Sequence, residues 1–557
     1  MHSLIRDSEE LKGISLDSSL PLFLDTETYE EEGKSKGGLY GKVRLVQMFQ
    51  VGWEEAIIID ALFVPLPLVL DLICDQWQVW HNAPYDLHTI NCSTEGLYLP
   101  ERLDDTIYLA RLTFFDKSKF GFYECLKYCG EEDGLIKGMD KKASQKADWG
   151  GPLSSTLLRY AEYDVTYLAK LWLHVNQALT TVSYKLDINN LRYAIEYSRR
   201  GVPVDQPAVN KELLRVSEEL EQCLEALPVN PNSPKQCKEL LGTDSSDMDT
   251  LVHLSLQGNK LAQDVRDARQ LSKTRGYLVK YIRPVIKGFF NPCAAISGRF
   301  SCTGGDRYGY NNLQQIPRRL LPVLRALPGR VFVYKDYAGL ELRMAVAWTG
   351  EPTMERMMRA GEDLHIYTGC IVFNVGPDQL TKHQRMIGKI LNFSLVFGAG
   401  IATVMSMLRS WGGIILDARE VSMLKSAWFA EYEYFDEWHK MHKKHLGVYG
   451  YLDITTALGR RIRTYSLADS LNTPIQGSSS EVQKTGLLML KNRYPDENLI
   501  CTIHDSNTLM PLEEEAELWR DRLNECMVDA WFSVTKGLTI PDLPMPAEAE
   551  ISTSWDF

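Results

Sequence analysis

The sequence predicts a multidomain protein, α/β over its first third and α+β over the remainder. Three observations carry this. At 557 residues the chain is long enough for three or four domains, each with its own core. Up to about residue 175, short apolar runs alternate with helix-like stretches. Beyond that point a helical, charged segment gives way to a mixed region in which strand-like runs flank a long helical middle.

Taken in order, Leu22-Phe23-Leu24, Val43 to Val51 and Ala56 to Ile59 read as strands, and so does Val79-Trp80. Ser154-Ser155 supplies an N-cap for a helix running through Leu157, Leu158, Ala161, Leu168 and Leu171. From Asp187 to Pro284 the pattern is helical, interrupted by a turn-rich passage at Pro228, Pro231 and Pro234. Val331 to Tyr334 reads as a buried strand. Leu499 to Ile503 reads the same way, with His504-Asp505 in a turn and Thr508-Leu509-Met510 beginning a return strand.

The composition, 45% hydrophobic and 24% charged, is that of an ordinary globular protein. No apolar run approaches the roughly 20 residues that span a bilayer, and Met1 to Asp7 lacks the features of a signal peptide, so a cytoplasmic protein without a membrane partner is expected. The eleven cysteines form no Cys-x-x-Cys cluster; Cys125 and Cys129 have helical spacing, and reduced thiols are expected. The net charge of −12 argues against a uniformly basic surface. Binding to nucleic acid depends on the surface in contact, however, and basic clusters occur at Lys141-Lys142 with Lys146, Lys273 with Arg275, Arg318-Arg319, and Arg460-Arg461 with Arg463.

Two acidic constellations stand out. In the first, Asp25 and Glu27 follow a strand at i and i+2, where alternation aims both carboxylates to one side. Asp86 follows the strand Val79-Trp80, and Tyr160 and Asp164 share one face of a helix. Four carboxylates could hold two magnesium-like ions about 3.5–4 Å apart, the arrangement that cleaves phosphodiesters, with Tyr160 orienting the attacking water. Singly, each is a surface or capping feature. Their order on strand, strand end and helix gives them weight.

In the second, Asp336 ends one strand and Asp505 sits at the tip of another, so adjacent strands would set them side by side and in need of cations. Between them Arg385, Lys389, Phe393 and Phe397 step by four along a predicted helix and share a face, with Lys382 and His383 just before. Cations suit a metal-bound triphosphate and the rings suit a base.

The first constellation resembles the DEDDy class of proofreading 3′–5′ exonucleases, matching it at Asp25, Glu27, Asp86, Tyr160 and Asp164. The second resembles motifs A, B and C of family A DNA polymerases, and further segments follow in that family's order. Ser297-Gly298-Arg299-Phe300-Ser301 and Asn312-Leu313-Gln314-Gln315-Ile316-Pro317 are similar to primer- and template-contacting palm segments. Glu362-Asp363-Leu364-His365 resembles a triphosphate-binding part of the fingers, Asn472 to Gly477 the start of the template-contacting helix, and Asn230 to Gln236 the thumb entry.

The resemblance implies a ribonuclease H-like exonuclease domain at residues 1–180. A right-hand polymerase domain would follow at 181–557, with thumb at 187–290, palm at 291–345 and 450–557, and fingers at 346–449. It further implies that Asp336 and Asp505 bind two Mg²⁺ ions, with Mn²⁺ as a substitute, and that Asp25, Glu27, Asp86 and Asp164 bind two more. Arg385, Lys389 and His365 would hold the phosphates, with Lys389 donating a proton to pyrophosphate. Glu341 would sit under the sugar and reject a 2′-hydroxyl. Phe393 would stack near the nascent pair and disfavour dideoxynucleotides, and Phe397 would lie at the base of the template site. Arg299 and Gln476 would reach the minor-groove side; Asn312, Gln314 and His504 complete the substrate contacts.

The partners implied are primer–template DNA and dNTPs, with a helicase or single-strand-binding protein as further candidates, around a monomeric enzyme. Two positions depart from the family pattern: Ser506 stands where Glu is usual, and Phe397 where Tyr is common. The short thumb and fingers, and the expected lack of an N-terminal 5′ nuclease domain, suit a compact phage or viral type. Alternative readings are a DNA exonuclease with a weakened or inactive polymerase half, prompted by Ser506, and a noncatalytic primer–template scaffold. An RNA polymerase of related fold is opposed by Glu341.

Overall fold

The computed structural model describes residues 2–29, 41–94, 96–131, 147–304, 309–555 and 557. The basic cluster Lys141-Lys142 with Lys146 lies outside the described residues.

The apolar runs of the first third build one six-stranded sheet. Its strands are β1 (His2–Ile5), β2 (Pro21–Tyr29), β3 (Lys42–Gln50), β4 (Ala56–Asp60), β5 (Trp77–Trp80) and β6 (Arg102–Asp105), in the order β1-β4-β3-β2-β5-β6. β2, β3 and β4 are antiparallel neighbours, whereas β1, β5 and β6 join in parallel. Leu22, Phe23 and Leu24 are fully buried because helices cover the sheet on both faces. Helix α1 (Ala83–Thr94) follows β5, and α2 (Ser155–Val175) crosses β2 and β3. The Ser154 hydroxyl accepts from the Leu157 N–H at 3.2 Å, the cap its sequence position predicts.

Helix α3 (Val182–Arg200) belongs to two cores at once. Tyr184, Ile188, Leu191 and Ile195 pack into the core of the first sheet, and Tyr193, Ala194 and Tyr197 into the core of the remainder. Beyond it, the long helices Gln206–Ala226 and Lys260–Lys280 pack against each other.

The second sheet contains β7 (Phe332–Tyr337). Helix α4 (Leu340–Thr349) leaves it through Gly339 at φ 68°, and α5 (Leu364–Phe373) and α6 (Lys382–Leu395) follow as a crossing pair. A Cβ added to Gly388 would lie 2.5 Å from the His365 carbonyl and 2.9 Å from the Gly369 nitrogen, so this crossing requires glycine. Next come a hairpin of β8 (Leu452–Thr455) and β9 (Arg461–Thr464), the long helix α7 (Leu467–Arg493), and the strands β10 (Leu499–Ile503), β11 (Ser506–Leu509) and β12 (Ala547–Ser552). The sheet order is β10-β11-β7-β12.

Three expectations need correction. The strand Leu499–Ile503 is not adjacent to β7; the return strand β11 lies between them, and Asp336 pairs directly with Ser506. That return strand starts at Ser506 and ends at Leu509, because the hairpin turn contains only His504 and Asp505, with His504 at φ 52°. Phe397 does not continue the α6 stripe. The helix stops at Leu395, and the chain turns through Gly398 at φ 74°, leaving Phe397 past the last turn. Among the described residues, no helix is long and apolar enough to cross a membrane.

Candidate active sites

The first site lies where β2, α1 and α2 meet. Alternation along β2 sends Asp25 and Glu27 to one side, and α2 supplies Tyr160 and Asp164 one turn apart. Carboxylate oxygens of Asp25, Glu27 and Asp164 all lie within 4.8 Å of one another. Asp86 stands beside them, its Oδ1 accepting from the Thr26 hydroxyl at 2.6 Å. All five line a cavity of about 420 Å³, together with His81, Tyr85, Phe122 and Tyr123.

Burial, followed by the charge of Asp164, pushes Asp25 well above the usual carboxylate range. Burial, followed by the charge of Asp25, does the same to Asp86. Burial and Asp164 also push the Tyr160 phenol up, which keeps it a neutral hydroxyl at physiological pH. Packed like charges of this kind resolve by protonation or by binding cations. An all-oxygen donor set fits hard ions such as Mg²⁺ and Mn²⁺.

The second site is built on β7 and the β10–β11 turn. Asp336 faces Ser506 on one side and Glu548 of β12 on the other. The Asp505 carbonyl accepts from the Tyr337 N–H at 3.3 Å, which ties the turn to the end of β7. Burial, then the charge of Glu548, raises the Asp336 pKa to about 6. Burial, then the charge of Glu341, raises Asp505 to about 7; Arg299 opposes this and Asp336 adds to it. Arg299 Nη2 lies 3.0 Å from Glu341 Oε1 and 4.0 Å from Asp505 Oδ1. Instead of standing free for DNA, that guanidinium is engaged with the acidic cluster.

The α5–α6 pair supplies a cationic wall. Arg385 is held by Asp363, with Nε at 3.0 Å and Nη2 at 2.5 Å, and the same carboxylate caps α5 through the His365 and Ile366 N–H groups. His365 Nδ1 lies 3.2 Å from Asn392 Nδ2, and its ring packs tilted on Phe393 at 5.7 Å between centroids. Burial lowers the His365 pKa to about 4, so the imidazole is neutral at physiological pH. Lys389 is half-buried and makes no ion pair among the described residues. Asn312 caps the turn Leu313–Gln315 by accepting from the Gln314 N–H at 3.0 Å, and Gln476 on α7 donates to Asn472 at 3.4 Å.

Sequence reading missed two features: Glu548 opposite Asp336, and the bridge from Arg299 to Glu341. The alternation Ala547-Glu548-Ala549-Glu550-Ile551 was a strand signal for the first. The second joins residues 42 positions apart and left no local signal. The hydroxyl of Ser506, at the position that departs from the family pattern, is buried and donates to the Ile503 carbonyl at 2.9 Å, closing the hairpin.

Comparison with known proteins agrees with this architecture. The chain is 25% identical over 588 aligned residues to DNA polymerase I of Aquifex aeolicus, covering 97% of this chain and 96% of that protein. It is 24% identical to DNA polymerase I of Rhizobium leguminosarum, of which it spans 43%, and 26% identical to the DNA polymerase of Bacillus phage SP01, of which it spans 36%. The fold matches the POL domain of Pol1 from M. smegmatis, solved in complex with DNA primer-template and dNTP. The TM-score is 0.77 at 17% identity, covering 100% of this chain and 99% of the other. The profile of DNA polymerase family A matches residues 206–557, more than half of the sequence, and the chain belongs to that family.

Proposed function

We propose that this polymerase family A member adds deoxynucleotides to a primer 3′-hydroxyl opposite a template, and edits mispaired ends with its own 3′–5′ exonuclease site. The observation that carries the first half is the convergence of Asp336 and Asp505, 169 positions apart, at the end of one sheet with proton affinities raised by shared burial and charge. Two Mg²⁺ ions held there would activate the primer hydroxyl and stabilise the charge on the transferring phosphoryl group. Arg385 and Lys389 would grip the triphosphate as cations and neutral His365 as a hydrogen-bond donor, with Lys389 protonating the leaving pyrophosphate. For this Arg385 must exchange the Asp363 Oδ2 oxygen, which accepts from both Nε and Nη2, for phosphate oxygens. Glu341 would lie beneath the sugar and exclude a 2′-hydroxyl.

The exonuclease half rests on Asp25, Glu27 and Asp164 meeting in one cavity with Asp86 and Tyr160. The first four would hold two cations, and Tyr160 would orient the attacking water. Primer extension with matched and mismatched 3′ ends tests both halves. Asp505→Ala should abolish extension and spare degradation of single strands; Asp25→Ala should do the reverse. Loss of both activities from either variant, with folding intact, would contradict two separate sites. The second reading, an exonuclease with a weakened polymerase half, is favoured by one observation: the side chain after Asp505 is a hydroxyl turned into the hairpin. The ratio of incorporation to excision on one primer distinguishes the two.

A further inference from the structure

Beneath the segment that carries Arg299 lie four charges, each 3% exposed or less: Asp187, Arg460, Glu481 and Lys484. Asp187, from α3, receives Arg460 on its Oδ2 and Lys484 of α7 on its Oδ1 at 2.6 Å. Glu481, on the same helix as Lys484, accepts from the Thr456 hydroxyl at 2.5 Å and the Leu458 N–H at 2.9 Å. Both cations pair with Asp187, while Glu481, whose pKa burial raises, is satisfied by its hydroxyl and N–H donors. A buried ion cluster is seldom the most stabilising filling for such a space, because desolvation offsets most of the attraction. Its strength is geometric definition.

That definition is applied to one stretch of backbone. Gly298 sits at φ 79°, and a Cβ there would lie 2.9 Å from Arg460 Nε, so the guanidinium supports the Gly298 backbone directly. From α7, the Ser480 hydroxyl donates to the Gly298 carbonyl at 2.8 Å. A Cβ on Gly477 would lie 2.5 Å from Thr456 Cγ2 and 3.2 Å from the Ser297 carbonyl, so this contact too is tight. The next residue is Arg299, whose guanidinium lies 3.0 Å from Glu341.

We propose that Asp187, Arg460, Lys484 and Glu481, with Ser480, act as positioning residues that fix the Ser297–Gly298 backbone and thereby hold Arg299 against Glu341 and Asp505 in the polymerase site. Apolar packing would fill the same space but let the Arg460 stem change rotamer. Lys484 and Arg460, on the two oxygens of one carboxylate, prevent this. The inference rests on the polymerase reading above and on the expectation that Arg299 reaches the minor-groove side of the nascent duplex, and it adds residues that touch neither substrate nor metal.

The test uses the full chain with Ser480→Ala and Asp187→Asn, each alone and each combined with Arg299→Ala. A 1 Å misplacement near reacting atoms can cost about 100-fold in rate. Ser480→Ala should therefore lower kcat for correct incorporation by about 10-fold, and Asp187→Asn by up to about 100-fold. KM for dNTP should hold, since Arg385, Lys389 and His365 stand on other helices. Neither change should slow the Arg299→Ala variant further. Ser480→Ala keeps all four charges and serves if Asp187→Asn fails to fold. Losses that multiply with Arg299→Ala, or that appear in KM with kcat unchanged, overturn the inference. An Arg299→Ala variant as fast as wild type removes the assigned role of Arg299, and this inference with it. A wild-type chain that does not extend primers instead removes the polymerase reading itself.

Discussion

At the scale of single residues, the polymerase carboxylates carry an electrostatic cost when no cation is bound. Folded Asp505 titrates near 7 against an ordinary value of 3.8, and Asp336 near 6. Between about pH 4 and 7 the folded chain holds protons that the unfolded chain has released, so these groups make stability fall as pH rises. Discounted for partial exposure, the penalty at neutral pH is on the order of 1–3 kcal/mol. Asp505→Asn should consequently raise the Tm of the metal-free protein, and more at pH 8 than at pH 5.5, while abolishing extension. Mg²⁺ should stabilise wild type more at pH 8, where it competes with fewer protons, and Asp505→Asn much less. Melting curves with chelator and with Mg²⁺ at the two pH values decide this; a Tm gain by Asp505→Asn confined to pH 5.5 would reverse the sign. These aspartates were legible in the sequence because each ends an apolar run. Arg299's engagement with Glu341 was not, since which cation neutralises a buried acid depends on tertiary packing.

At the scale of elements, what a helix presents depends on where it stops and how closely it crosses its neighbour. The stripe Arg385, Lys389, Phe393 was readable from spacing alone. Its end was not, since Gly398 and Gly400 could terminate the helix or lie inside a loop, and Phe397 fell on the wrong side of that boundary. Nor did the sequence announce that Gly369 and Gly388 let α5 and α6 meet backbone to backbone. That crossing fixes His365 relative to Arg385 and Lys389. Gly388→Ala would force a Cβ to within 2.5 Å of the His365 carbonyl, a backbone atom that cannot rotate away. Overpacking of this kind costs about 1–3 kcal/mol and spreads the helices. The expected outcome is a lower Tm together with a KM for dNTP raised by about 10-fold, because the three proposed phosphate ligands lose their common geometry. Steady-state incorporation at varied dNTP gives the answer. An unchanged KM would mean that the crossing does not set the triphosphate site.

At the scale of the whole molecule, the order of an acidic α/β unit and a larger α+β unit was visible in the chain, as was the surplus of carboxylates behind the charge of −12. How the two units are fastened was not, because the contacts join residues hundreds of positions apart. Besides the hydrogen bonds of Tyr108 with Asn291 and of Tyr310 with His88, two broader fastenings join them among the described residues. Helix α3 puts side chains into both cores, so neither core can lose it without exposing apolar surface. The β8–β9 hairpin grips a loop of the first unit. The Arg463 N–H donates to the Phe115 carbonyl at 3.1 Å, and Arg461 lies 4.0 Å from the centre of the Phe115 ring, with Arg463 at 5.5 Å. Each cation–π contact contributes about 0.5–1 kcal/mol at a partly exposed site, so the ring couples the units by roughly 1–2 kcal/mol. Phe115→Ala removes that coupling and leaves α3 in place. Calorimetry should then show the transition of the first unit moving down by a few degrees and separating from that of the second. Phe115→Tyr, which keeps the ring, should retain the wild-type profile. A Phe115→Ala profile identical to wild type would assign the fastening to α3 with the Tyr108–Asn291 and His88–Tyr310 contacts.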